Sequence, residues 1–242
     1  MALFLRSRKL YSNFPKLYSS TQFVPRCGTV EESELEKLQD FVDNSTSILI
    51  LTGAGISTES GIPDYRSEKV GLYARTNHKP IQHQEFMKSK YVRQRYWARN
   101  FVGWSTFSGV RPNSSHLILT TWQQRGKISQ IVTQNVDRLH HKAGCKAVLE
   151  LHGSAYDVKC MNCGFAIDRH DFQNLLTDSN PSFSTSSIEM RPDADADLPQ
   201  VSLKYNIIMK KTSQDISLTP GNDKQLPAST LQQLSRCSPR FF

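Results

Sequence analysis

The sequence predicts an α/β fold, a doubly wound parallel sheet with helices packed on it, and three observations carry that expectation. Short apolar runs recur at Ile48–Leu51, Ile128–Val132 and Ala147–Leu151, without the alternation of a half-exposed strand. Between them lie segments whose apolar residues repeat at helical spacing. Each run ends in glycine or polar residues, at Thr52-Gly-Ala-Gly55, Thr133-Gln-Asn-Val-Asp137 and His152-Gly153. The carboxyl ends of parallel strands are where open α/β sheets bind ligands.

Taken in order, Glu31–Asp43 reads as a helix packing on the sheet through Leu35, Leu38, Phe41 and Val42, with acids early, where a helix N-terminus favours them. The run Ile48–Leu51 is expected as a buried strand. Gly53 and Gly55 lack a Cβ, so the backbone there can turn sharply and approach a ligand closely. Ser57 or Thr58 is expected to cap a helix whose free N–H groups would suit a phosphate. Alone, Gly-Ala-Gly fits equally well a tight strand-to-helix turn with no ligand. The strict dinucleotide fingerprint G-x-G-x-x-G is not met, because the third glycine, Gly61, comes too late. No strand ending in an acid follows about 20 residues on, which weighs against a hydride-transferring dehydrogenase.

Pro63 breaks the chain at Gly61-Ile-Pro-Asp-Tyr-Arg66. Tyr91–Trp104 is expected as a helix burying its aromatics. Asn113–Lys127 reads as a further helix, with Asn113 or Ser114 as cap and Gly126 near its stop. After the strand Ile128–Val132, a short helix Arg138–Ala143 ends near Gly144, and Ala147–Leu151 delivers His152.

A chain of 242 residues can bury a useful core. Net charge is +8, but the first thirty residues carry five cations and no acid, leaving +3 for the remainder. No basic helix or stripe there points to nucleic acid. The first segment, rich in Arg, Lys, Ser and aromatics, matches an organellar transit peptide over residues 1–28, and its apolar runs are too short to span a bilayer. The expected location is the mitochondrial matrix, without stable membrane insertion. Five cysteines, an odd and unevenly spaced set, argue against a secreted disulfide scaffold and leave Cys160 and Cys163 as the one metal-like or redox-like pair. The alternative for that pair is two reduced cysteines in a loop.

Five motifs stand in order: Gly53-Ala-Gly-Ile-Ser57, Gly61-Ile-Pro-Asp-Tyr-Arg66, Thr133-Gln-Asn-Val-Asp137, Leu151-His-Gly153 and Cys160-x-x-Cys163. In this the sequence resembles the sirtuin family, NAD-dependent protein deacylases or ADP-ribosyltransferases, and most of all its mitochondrial, class II type. The resemblance implies a Rossmann-like domain with a small zinc-ribbon-type insert, and NAD as cofactor. It implies that Gly53, Ala54, Gly55, Ile56 and Ser57 cradle the pyrophosphate, that Asp64 and Arg66 lie in a loop ordering over NAD, and that Tyr65 shields the ribose. Tyr65 departs from the phenylalanine common in the family but keeps an aromatic face. Gln134, Asn135 and Asp137 would line the ribose and nicotinamide part, where amide and carboxylate groups suit sugar hydroxyls and a carboxamide.

By the same resemblance His152 is the general base. The nicotinamide–ribose bond breaks through an oxocarbenium-like state, the acyl oxygen of a substrate lysine attacks C1′, and a ribose hydroxyl then loses its proton. Histidine titrates near neutrality, as that step needs. A lone histidine after a buried strand is otherwise more often a packed core residue. The resemblance also implies structural zinc on Cys160 and Cys163, but four ligands are needed and the second C-x-x-C pair is missing.

Coverage runs from about Glu31 to Pro192, giving a partial catalytic domain over residues 29–192. Residues 193–242, rich in Ser, Thr, Pro and Gln, are expected as a disordered, divergent tail, from truncation, alternative splicing or a shifted reading frame. The expected function is a mitochondrial NAD-dependent transferase that deacylates protein lysines, transfers ADP-ribose to protein, or both, releasing nicotinamide, with acylated or ADP-ribosylated proteins as its partners. The alternative is a catalytically inactive fragment that only binds or interferes.

Overall fold

The computed structural model describes residues 21–75 and 81–181. Residues 1–20 of the expected presequence and all of the expected divergent tail lie outside them. Phe23, near the start of the described chain, is buried. The described chain forms two compact units, the first from residues up to 74 with 110–134 and 139–149, the second from the remainder.

The first unit carries helix α1 (Glu32–Asn44), strand β1 (Ile48–Thr52), a 3₁₀ helix (Ala54–Ser60), helix α5 (Ser114–Gln124), strand β2 (Ile128–Thr133), helix α6 (Leu139–Ala143) and most of strand β3 (Val148–Glu150). The sheet order is β1-β2-β3, with β1 and β2 parallel and Ile50 opposite Ile131, Thr52 opposite Thr133. This is the α/β arrangement with a parallel sheet that the sequence predicts.

The expectation of strands buried on both faces is corrected. Ile48 and Ile131 are buried, whereas Leu49 and Leu51 are 66% and 64% exposed, and Leu149 and Leu151 are also exposed. Successive strand side chains point to opposite faces. One face packs Ile48, Ile128 and Ile131 against Val42 of α1, Cys145, and Leu119 and Trp122 of α5. On the other face Leu49 and Leu51 stay exposed while Val132, opposite Leu51, is half-buried. In α1 only Val42 is buried, and Leu35, Leu38 and Phe41 are exposed, so its packing on the sheet runs through one residue of the expected four.

The second unit contains helices α3 (His83–Lys88), α4 (Lys90–Gly109) and α7 (Arg169–Ser179), and an antiparallel hairpin of β4 (Asp157–Lys159) with β5 (Ala166–Asp168). The short helix α2 (Leu72–Arg75) ends at the boundary of the two units. Trp97, Ala98, Val158, Cys160, Ile167, Phe172 and Leu176 form one apolar cluster. Trp97 and Trp104 are buried as expected, and so is Phe107 beyond the expected span, but Tyr91, in the first turn of α4, is exposed. Arg169 is almost wholly buried, its guanidinium 4.7 Å from the Trp104 ring and its Nη2 donating to the Asn100 carbonyl. Burial pulls its pKa down to about 10. The chain from Arg169 to Ser179 had no helical expectation; Asp168 starts it by accepting from the His170 N–H.

Candidate functional site

In the first unit, β1 leads directly into Gly53, and the expected capped helix beyond it is corrected. Ala54–Ser60 is a 3₁₀ helix whose first flanking residue is Gly53, with no side-chain cap. Ser57 and Thr58 lie inside it, both buried, so neither is the cap, and Thr58 Oγ1 donates to the Gly55 carbonyl. The short helix closes on Gly61, whose φ of 90° is left-handed.

The two glycines of the turn are informative because the fold makes no demand for them. Gly53 has φ −132° and ψ −169°, extended geometry open to any residue. A Cβ built on Gly53 or on Gly55 would meet nothing within 4 Å. Glycine costs conformational entropy in an ordered element, about 0.5–1 kcal/mol relative to alanine. Open space beside a bare backbone is what a closely approaching ligand requires, so the turn fits a pyrophosphate in a way the fold alone does not explain.

After Gly61 the chain forms a compact loop. The Asp64 carboxylate accepts from the N–H groups of Arg66 (3.1 Å) and Ser67 (2.9 Å) and from the Ser67 hydroxyl. The carbonyls of Asp64 and Tyr65 accept from Leu72 and Tyr73, and the Tyr65 and Tyr73 rings lie 5.8 Å apart. Asp64 therefore organises the loop that presents Tyr65 and the exposed Arg66. Gly71 is obligatory here, since a Cβ would lie 2.5 Å from the Ser67 nitrogen. Gly71→Ala is expected to lower stability by about 1–3 kcal/mol, read as the urea midpoint.

Gln134 belongs to the same unit, and its N–H donates to the Thr52 carbonyl at 3.0 Å. The turn at Gly53 and the start of the second polar segment are thus joined at the strand ends. Beneath them, Thr52 Oγ1 lies 2.9 Å from Thr133 Oγ1 and 3.0 Å from His140 Nε2. The His140 ring stands 4.9 Å from that of His116, and both are buried. Sequence reasoning named neither histidine as functional. No periodicity marks a histidine as buried, and only the Asn113-x-x-His116 capping box, seen once the helix is placed, signals one of them.

Burial, and second the neighbouring His140, pull the His116 pKa down to about 3. The ordinary value is about 6.5. Between these values the unfolded chain holds a proton at this position that the folded chain lacks, so stability rises with pH there. As pH falls through 6.5 toward 3, His116 is expected to cost up to about 1.4 kcal/mol per pH unit. Urea midpoints across that range are expected to fall less steeply for His116→Gln.

The second unit holds Asn135, Asp137, His152, Cys160 and Cys163. The Ala155 N–H donates to the Val136 carbonyl at 3.0 Å, bringing the Asn135–Asp137 segment against the one that begins at His152. Asp137 is buried and His152 is exposed. Next to Asp137, Arg138 adopts a left-handed φ of 56°, uncommon outside glycine. It is held by Asp157, by Glu150 at 3.7 Å and by the Tyr156 ring at 5.5 Å. Burial, and second the Asp137 charge, push the Tyr156 pKa up to about 12. Gly153 has φ +73°, which turns the chain sharply behind His152.

Cys160 and Cys163 lie in the β4–β5 connection, where the Cys160 N–H donates to Phe165 and the Gly164 N–H to Cys160. Cys160 is buried and Cys163 exposed. A closed zinc site needs four ligands. Among the described residues no group of three His, Cys, Asp or Glu side chains is placed to hold a metal, so they do not fit a complete zinc site.

Comparison with known proteins bears on this arrangement. The Sir2 family pattern matches residues 53–209, from the open glycine turn through both polar strand ends and beyond the cysteine pair. The chain belongs to the Sir2 family. A Drosophila melanogaster relative, NAD-dependent protein deacylase Sirt4, is 54% identical over 186 residues, 76% of this chain and 60% of its own length. Human NAD-dependent protein lipoamidase sirtuin-4, mitochondrial, is 50% identical over 178 residues, 74% of this chain and 57% of its own. The chain thus spans less than two thirds of these curated relatives. A solved Sir2 structure, with a deacetylated p53 peptide and 3′-O-acetyl ADP-ribose, is 27% identical with a TM-score of 0.50, covering 70% of this chain and 69% of that one. Sir2 membership agrees with the parallel-sheet α/β fold described above.

Proposed function

We propose that this Sir2 protein is an NAD-dependent protein-lysine deacylase of mitochondria. The observation that carries the reading is the pair of glycines whose Cβ positions open onto empty space at the carboxyl end of β1. Its support from relatives is the 54% identity to a protein named as an NAD-dependent deacylase and the 50% identity to a mitochondrial lipoamidase. The second of those names makes lipoyl-lysine the first acyl group to test, beside acetyl-lysine.

Bound NAD would supply the ribosyl centre, with nicotinamide as its leaving group. Gly53 to Ser57 would hold the pyrophosphate, with open space beside the backbone at Gly53 and Gly55. The Asp64-ordered loop would lay Tyr65 against the ribose and bring Arg66 toward the phosphates. Gln134, Asn135 and Asp137 would bond the sugar hydroxyls and the carboxamide, the buried Asp137 carboxylate acting as acceptor. His152 would take the proton from a ribose hydroxyl once the acyl oxygen is bonded to the sugar. Its exposure leaves it accessible to the reacting groups, and the left-handed Gly153 fixes the chain direction behind it.

Zinc on Cys160 and Cys163 belongs to this reading only with Cys163 released from its disulfide and a second ligand pair from outside the described residues, and no step above runs through it. Titration of the purified protein with NAD in a calorimeter tests the reading. Saturable binding is expected, and its absence would defeat it.

A further inference from the structure

We propose that Asn113 and His116 are positioning residues for the nucleotide turn, acting through the Ile56 carbonyl. The inference rests on the NAD reading above and extends it to a layer of side chains beneath the turn. Asn113 is 1% exposed and His116 is fully buried. Asn113 caps α5, its Oδ1 accepting from the N–H groups of Ser115 at 3.0 Å and His116 at 3.4 Å. Capping needs only an acceptor, and Ser or Asp serves as well. Here the other end of the amide is also engaged. Nδ2 donates to the Ile56 carbonyl at 2.7 Å, across 57 residues of sequence.

That bond fixes the orientation of the amide, because an oxygen at 2.7 Å from a carbonyl would be repelled. Oδ1 therefore faces His116 Nδ1 at 2.9 Å, and Nδ1 also stands 3.4 Å from the Asn113 backbone N–H, the second half of the capping box. The Ile56 carbonyl on Nδ2 and the two α5 N–H groups on Oδ1 together hold the amide against flipping. The low pKa of His116 keeps the ring neutral at physiological pH.

Ile56 sits between Gly55 and Ser57, in the first turn of the 3₁₀ helix. Its carbonyl and the Ser57 N–H share one rigid peptide plane. Holding the oxygen sets the tilt of that plane, and with it the first turn from Ala54 to Ser57. The same buried layer reaches the strand ends, since the His116 ring lies beside His140, which is bonded to Thr52, and Thr52 reaches Thr133. Thr52 immediately precedes Gly53, and Thr133 precedes Gln134.

The test compares the unaltered chain with Asn113→Asp and Asn113→Ser. Both substitutions keep a capping oxygen and remove the N–H given to Ile56. Each is expected to raise the ADP-ribose dissociation constant about tenfold, the equivalent of one buried hydrogen bond. The unpaired Ile56 carbonyl should lower the melting temperature of the ligand-free protein by a few degrees while the protein stays folded at the assay temperature, and in turnover the KM for NAD should rise while kcat is kept. Affinity equal to the unaltered chain in both variants would overturn the proposal. A loss of affinity that appears only at temperatures where the variants have begun to unfold would overturn it too, making Asn113 a helix cap and nothing more. If the unaltered chain itself fails to bind ADP-ribose, the NAD reading fails first, and the proposal falls with it.

Discussion

Gly55→Ala is expected to weaken NAD binding by at least about tenfold while leaving the ligand-free protein as stable as before or slightly more so. The two halves of the prediction come from different facts. A Cβ at this position meets no protein atom within 4 Å, so the fold accepts it without strain. Replacing glycine where the backbone tolerates it gains about 0.4–1 kcal/mol from the less flexible unfolded chain. A ligand seated against that backbone would meet the new methyl, and a misfit of this size costs about 1–3 kcal/mol, with tenfold in affinity for each 1.4. Binding isotherms and melting curves on the same sample separate the effects. Lower stability with unchanged affinity would mean that the glycine serves the fold.

His152→Ala is expected to reduce acyl transfer by about 10²–10⁴-fold, the range a positioned general base supplies, while NAD affinity is retained. His152 is exposed and stands outside the apolar clusters of both units, so removing its ring leaves no cavity. A parallel loss of melting temperature is therefore not expected. Single-turnover rates with an acylated peptide, measured beside an NAD titration, distinguish loss of chemistry from loss of binding. Unchanged turnover would remove His152 from the mechanism.

The elements most readable in the sequence were those whose residues state their own reason. Asn113 before an apolar-periodic run marks a helix start, and the structure places it at the cap of α5. Ile128–Val132, with Ile128, Ile131 and Val132 ahead of a polar end, reads as a strand, and it is part of the central strand. The face of β1 was misread because an unbroken Ile-Leu-Ile-Leu run carries no alternation from which to predict that Leu49 and Leu51 are exposed. The strand still obeys period two, but the pattern that would reveal it is absent.

At the candidate site, the sequence marks residues that contact a ligand better than residues that hold them. The glycine turn and the His152-Gly153 pair stand out as motifs. The layer beneath them does not, because Asn113, His116, His140, Thr52 and Thr133 meet only through tertiary packing, with bonds linking positions 57 to 88 residues apart. Gly71 was equally silent, since its need arises from the Ser67 backbone 2.5 Å from its missing Cβ. Helix α7 has a readable cap in Asp168 but lies where the composition turns polar, and it is the aromatic cover of Arg169 by Trp97 and Trp104 that ties it to α4.

NAD-dependent deacylation is tested most directly by nicotinamide release from the purified chain, mixed with NAD and a lysine peptide carrying an acetyl or a lipoyl group. Release is expected to need both NAD and the acylated peptide, to give one nicotinamide for each acyl group removed, and to stop within about one turnover in His152→Ala, whose missing proton transfer follows nicotinamide departure. Nicotinamide release that is absent with either peptide, or absorbance growth from reduced nicotinamide in its place, would refute the deacylase reading.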